Sequence, residues 1–213
     1  MSVRKIPKNY RNVTGLAAHA KACGEAAFES TLERDFLTLL EFDPVVAGFE
    51  VQPVEVEWWD GGGRRHTYTP DVLVWYRTEM GKPPSLVEVK YRSELRQDWK
   101  KLRPKFGAAI RESRQKGWRF KLMTEVEVRT PLLVNARFLL PFVHQTQADH
   151  SKSEKIVEVL NGMGICTVQA LLDHMTPDAW EQAAILPTIW YMVATRHIGC
   201  NLMEKLTMES SIW

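Results

Sequence analysis

The chain has 213 residues, 45% of them apolar and 25% charged, and a net charge of +2 at pH 7. That length supports one good hydrophobic core, or one core with a small satellite domain, in an ordinary soluble globular protein. No apolar stretch approaches the ~20 residues of a membrane span.

The first 15 residues, MSVRKIPKNYRNVTG, carry basic side chains with no apolar core behind them, so no secretory leader is expected. Residues 1–27 read as a polar arm with at most one short helix. Arg4, Lys5, Lys8, Arg11 and Lys21 make it basic, with no acid among its first 21 residues. Cys23, Cys166 and Cys200 are scattered and odd in number, which argues against a disulfide framework and for a reducing interior. His197-x2-Cys200 and His19-x3-Cys23 come nearest to a zinc edge, but isolated His and Cys usually pack or hydrogen-bond.

In ESTLERDFLTLLEFDP, Leu32, Phe36, Leu39 and Leu40 recur at helical spacing; Ser30 serves as N-cap and Pro44 stops the helix. Val54, Val56 and Trp58 then alternate with Glu55 and Glu57 as a strand. Asp60-Gly61-Gly62-Gly63 turns the chain and Arg64 begins a second strand. Val72-Leu73-Val74-Trp75 and SLVEVKY are apolar on both faces and read as central strands, separated by a loop with Gly81, Pro83 and Pro84. Residues 93–116 are helical, with Leu95, Trp99, Leu102, Phe106 and Ile110 along one side. Pro104 splits them into two helices by sitting in the first turn of the second. WRFKLMTE is a further strand, and Thr130-Pro131 opens a helix carrying Leu132, Leu133, Ala136, Leu139 and Leu140. HQTQADHSKS, 144–153, reads as a linker. Short helices follow at 154–160, 167–174, 177–184 and 187–197. The order predicts an α/β fold: a mixed sheet flanked by helices over 28–143, then a small helical domain over 154–213.

The chemistry concentrates at Pro70-Asp71 and, seventeen positions on, Glu88-Val89-Lys90. Residues i and i+2 of a strand share a face. Glu88 and Lys90 therefore point together, and pairing with the strand of Asp71 would bring two carboxylates and an ammonium into one volume. Two adjacent carboxylates repel unless a cation sits between them. Magnesium accepts one or two carboxylates plus a substrate phosphate and would polarise the phosphorus–oxygen bond. Lys90 would orient or help deprotonate the attacking water and stabilise transition-state charge. Glu33, at the border of its helix's apolar face, is the candidate third acid. Ser30-x-x-Glu33 is equally a capping box that would occupy Glu33 locally. Glu29 is a weaker candidate, before the helix.

From Glu88 to Lys121 there are twelve Lys or Arg against four Asp or Glu. Arg92, Arg96, Lys100, Lys101, Arg103 and Lys105 are the candidate phosphate contacts, setting register rather than reading sequence. Tyr68, Tyr91 and Trp99 are candidates for stacking on bases or sugars, although Trp99 fits the apolar stripe better.

ESTLERDFLTLLEFDP, QPVEVEW, YTPDVLVWY and LVEVKY, in that order and after RNVTG, resemble the TnsA family, the PD-(D/E)xK endonuclease subunits of heteromeric transposons. The resemblance covers residues 4–143. It implies a restriction-endonuclease-like fold, a bacterial cytoplasmic location, Mg2+ with Mn2+ as substitute, and cleavage at the 5′ ends of a transposon. It also implies a TnsB-like transposase of the DDE type that cuts and joins the 3′ ends, and a TnsC-like ATPase regulator docked on a winged-helix-like C-terminal domain. Carried over residue by residue, Glu33, Asp71, Glu88 and Lys90 are the catalytic set, the three acids being metal ligands. LPTIWYMVATRHIGCNLMEKLT would be a helix–turn–helix, followed by a short strand in SSIW. The alternatives are a stand-alone restriction or repair nuclease and a catalytically inactive DNA-binding or bridging subunit. The intact Asp71, Glu88 and Lys90 weigh against the inactive one.

Overall fold

The computed structural model describes residues 15–17, 19–145 and 150–213, in one unit ending at Arg129 and another starting at Thr130. The first runs β1 (Gly15–Ala17), β2 (Ala26–Phe28), α1 (Thr31–Phe42), β3 (Val46–Val51), β4 (Val56–Trp59), β5 (Arg65–Tyr68), β6 (Val72–Tyr76), β7 (Ser85–Val89), α2 (Arg92–Gln115), β8 (Arg119–Met123) and α3 (Glu125–Val128). β3, β6, β7 and β8 form one sheet in that order, antiparallel except for the parallel β7–β8 pair.

The two faces of this sheet divide the core. Val72, Val74, Val87 and Val89 pack with Leu32, Phe36, Leu37 and Leu40 of α1. Leu73 and Leu86, at the alternate positions, pack with Ala109 of α2. Each such Val or Leu contributes about 1.5–3 kcal/mol on leaving water. A mixed sheet between helices is the architecture expected. β4 and β5 form a hairpin of their own beside it, turned at Asp60–Gly63.

Several expectations are corrected. The basic arm is not an independent segment where it is described. β1 pairs with β2, and the Ala22 segment bridges β3 through Cys23 N–H to Phe49 O (2.7 Å) and Phe49 N–H to Lys21 O (3.0 Å). Residues 1–14 lie outside the described residues. β3 is a strand that the sequence did not separate from the segment after it. α2 is a single helix through Pro104. That proline sits on the exposed side, where water can serve the carbonyl deprived of its N–H partner. Trp99 is 46% exposed, because the buried residues of α2 (Phe106, Ala108, Ala109, Ser113) begin past its midpoint; Ile110 lies among them and is still 37% exposed.

The second unit contains α4 (Pro131–Gln145), α5 (His150–Met163), β9 (Cys166–Thr167), α6 (Val168–Met175), α7 (Ala179–Ala194) and β10 (Ser211–Ile212). The sequence boundary at 144 differs from the observed one because α4 belongs with the C-terminal helices. Phe138 of α4 stacks edge-on against Trp190 of α7, 5.3 Å between centroids, and Asn135 bonds the 202–206 segment. Of the linker expected at 144–153, residues 146–149 lie outside the described residues and 150–153 already belong to α5. The helices expected at 177–184 and 187–197 are one, α7, with Pro187 inside it. No helix follows in 195–210, so the helix–turn–helix is not formed. The short terminal strand is present as β10, paired with β9. Gly199 lets Trp213 close onto the unit: a Cβ there would meet its indole at 2.2 Å.

Candidate active site

β6 and β7 pair antiparallel with Val72 opposite Val87, so one further step of the register brings residue 71 beside residue 88. Alternation places 71 and 73 on the face shared with 86, 88 and 90, the face covered by α2. Asp71 Oδ2 accepts the Val89 N–H at 2.7 Å, which locks the two strand ends together. Glu88 is 2% exposed. Its Oε1 accepts Lys105 Nζ at 3.1 Å and lies 4.0 Å from Lys90 Nζ, while its buried Oε2 has no hydrogen-bond partner among the described residues. The Tyr68 ring lies 4.6 Å from Lys105 Nζ, and its buried hydroxyl also has no hydrogen-bond partner among the described residues.

Glu33 approaches from the first turn of α1. Ser30 caps that helix, its Oγ accepting the Glu33 N–H at 3.1 Å. Glu33 in return accepts the Ser30 hydroxyl at 2.9 Å and the Glu29 N–H at 2.8 Å. The helix start thus occupies both Glu33 oxygens, with the Glu29 N–H in place of the Ser30 N–H that a full capping box would use. The Glu33 charge still faces Asp71 and Lys90, both of which act on its titration. The Glu29 carboxylate accepts Gln52 Nε2 at 3.4 Å.

Three acids and two ammonium groups leave this site one negative charge in excess when all are ionised. Burial first, and Glu88 second, push Asp71 up to about 7, against the pull of Lys90 and the Val89 N–H. Burial and then Asp71 push Glu33 to about 7 as well. Glu88 is also raised, by burial before anything else. Burial draws Lys90 down, but Asp71, Glu88 and Glu33 more than offset it, so its ammonium is held above the ordinary lysine value. Between pH ~4 and ~7 the folded protein keeps protons on Asp71 and Glu33 that the unfolded chain has released, so stability without metal falls as pH rises through that window. Asp71→Asn should flatten this decline in thermal scans with chelator. Each kcal/mol removed appears as roughly 2–4 °C in a chain of this size.

The basic residues of α2 separate. Arg92 is drawn towards Glu127 (3.9 Å) and Lys101 pairs with Asp98 (3.2 Å). Arg96, Lys100 and Arg103 are exposed, with no ion pair among the described residues. Lys100 and Arg103 line a groove of about 490 Å3 with Trp99, Pro104, Gly107 and Arg111. Lys105 departs from the group by turning inward to Glu88. Tyr91 is committed within the fold, its hydroxyl bonded to Thr31 Oγ1 (3.1 Å) and Arg129 (2.9 Å). Sequence reasoning missed Gln52. It holds a left-handed backbone (φ 51°) and donates its N–H to the Asp71 carbonyl at 2.8 Å. Strain at a non-glycine residue beside a site is a known signature, but nothing in the residue type announces it.

Among the described residues, no three His, Cys, Asp or Glu side chains are arranged to hold a metal ion together. What the structure offers is a pair, Asp71 and Glu88. The pair fits a hard divalent cation: both are oxygen donors, both are held above the usual carboxylate range, and Glu88 Oε2 is a buried acceptor with nothing to accept.

Residues 43–125 match the family model described as TnsA-like endonuclease N terminal, and residues 127–202 match the TnsA endonuclease C terminal. Asp71, Glu88, Lys90 and Lys105 fall within the first match; Glu33 precedes it. No curated protein matches the chain.

Proposed function

Because the chain belongs to the TnsA family of transposition endonucleases, we propose that it hydrolyses DNA phosphodiester bonds at the 5′ ends of a transposon, with Mg2+ or Mn2+ held by Asp71 and Glu88. A separate TnsB-like transposase of the DDE type cuts and joins the 3′ ends. The observation that carries the proposal is the meeting of Asp71, Glu88 and Lys90 at the adjoining ends of two paired strands. The mixed-sheet, restriction-endonuclease-like fold of the first unit supports it. When bound, the ion supplies Lewis-acid polarisation of the phosphate and acidifies the attacking water. Lys90, kept as an ammonium by the surrounding acids, stabilises the charge that develops on the phosphoryl oxygens. Glu33 shapes the field around Asp71, and the Ser30 cap fixes where Glu33 stands.

Arg96, Lys100 and Arg103 present cations on the exposed side of α2, beyond the inward-turned Lys105, and suit the phosphates flanking the cut. Replacing Lys100 and Arg103 together by alanine should weaken DNA binding on any sequence. It should also reduce the slope of log affinity against log salt by up to about 0.9 for each lost duplex contact, measured by anisotropy titration. The C-terminal unit suits a protein partner such as a TnsC-like ATPase regulator. It carries a groove of about 420 Å3 lined by apolar residues including Phe138, Phe142, Leu186, Pro187 and Trp190.

The test is strand-resolved cleavage of DNA bearing transposon ends. The transposase alone should cut 3′ ends only, and adding this chain should give cuts on both strands. Efficient cutting of DNA by this chain alone would replace the proposal with a stand-alone nuclease. No 5′ cut in the presence of the transposase would reduce the chain to a bridging subunit.

A further inference from the structure

Two ammonium groups approach Glu88, and Lys90 is the more distant. Lys105 Nζ lies 3.1 Å from Glu88 Oε1, against 4.0 Å for Lys90. Its side chain is 18% exposed, with the rings of Tyr68 and Phe106 at 4.6 and 5.3 Å from the nitrogen. Lys101, one turn earlier on α2, pairs with Asp98 and still extends into water at 84% exposure. Lys105 is folded back against a carboxylate that is itself almost wholly buried.

We propose that Lys105 is the built-in counter-ion of Glu88. It neutralises this carboxylate while no metal is bound and opposes, by its charge, a divalent ion arriving at Oε2 of the same group. The inference rests on the reading of Asp71 and Glu88 as metal ligands. A buried carboxylate without a compensating charge is strongly unfavourable, and Lys90 is shared with Asp71 and Glu33. Lys105 supplies the missing charge. An ammonium hydrogen-bonded to Oε1 and a dication ligated by the same group repel each other at close range. The flexible four-carbon stem allows the lysine to leave, which a rigid guanidinium fork would resist. Metal affinity is therefore set partly by competition from a residue that ligates nothing.

The experiment is direct Mn2+ titration without DNA, following the electron paramagnetic resonance signal of the free ion, with melting temperatures measured in parallel. Lys105→Met should bind Mn2+ roughly tenfold more tightly than wild type, the worth of one charge-assisted hydrogen bond. It should melt lower than wild type without metal and at the same temperature with saturating Mn2+. Lys105→Gln keeps a donor to Oε1 without its charge. It should show the same tightening, and it carries the test if the methionine variant does not fold. Lys116→Met, which removes a cation from the far end of α2 where it pairs with Glu112, should bind as wild type. Glu88→Gln should lose binding. If wild type binds, Glu88→Gln does not, and neither Lys105 variant binds more tightly, the counter-ion role is refuted while the metal site stands. If wild type takes up no Mn2+, or Glu88→Gln binds as well as wild type, the metal site itself falls and this role with it.

Discussion

Asp71→Ala should reduce 5′-strand cleavage at transposon ends by roughly a thousandfold or more, while 3′-strand cutting by the partner transposase continues. The magnitude is that of losing a ligand to an ion that contributes several kcal/mol to the transition state. Folding should survive the change. The Val89 N–H loses the acceptor it has at 2.7 Å, a cost of about 1–3 kcal/mol if left unpaired. The same substitution relieves the repulsion that burial and Glu88 impose on this carboxylate, so part of the loss is returned. Asp71→Asn retains an acceptor for Val89 and should be as inactive with less effect on stability, which separates the chemistry from the structure. Denaturing gels of end-labelled DNA, read strand by strand, give the answer. Wild-type rates of 5′ cutting from either variant would place the reaction elsewhere.

The parts of this fold that were legible in the sequence are those where one local rule acts alone. α1 announced itself because Leu32, Phe36 and Leu40 lie on one stripe behind a serine cap, and that cap is formed. β6 and β7 announced themselves because both of their faces are covered, leaving no polar alternation in VLV or SLV. Their pairing was a supposition from the sequence, and the register that sets 71 beside 88 comes from the fold. The rest depended on tertiary context. Pro104 breaks an isolated helix but not one whose proline side faces solvent. Trp99 shares a stripe with Phe106, yet only the C-terminal half of that stripe lies over the sheet, leaving one ring 46% exposed and the other 3%. Lys105 looked like one of six equivalent cations. Only the docking of α2 on the sheet distinguishes it from Lys101, four residues before. The strained backbone of Gln52 has no sequence signal, because nothing marks a glutamine for φ 51°.

Lys90→Ala should lower 5′ cleavage by on the order of 10²–10³-fold, the usual cost of removing a charge aimed at a transition state, and Mn2+ binding without DNA should persist. The two readouts separate its role from that of Asp71. Lys90 is partly exposed, 27% for its side chain, so it stands at the mouth of the site where a phosphate can reach it. The three surrounding acids hold its proton while no metal is bound, which suits a stabiliser of negative charge better than a base that takes a proton from water. The sequence left those two roles open; the electrostatics favour the first. Lys90→Arg then becomes the informative partner. A guanidinium keeps the charge and cannot act as a base at neutral pH, so partial activity from arginine with none from alanine supports charge stabilisation. Equal inactivity of the two, with metal binding intact, would return the lysine to the proton-transfer role. The comparison is best made well above pH 7, because Asp71 and Glu33 are raised to about 7 and removing the Lys90 ammonium, which pulls both down, raises them further in the alanine variant.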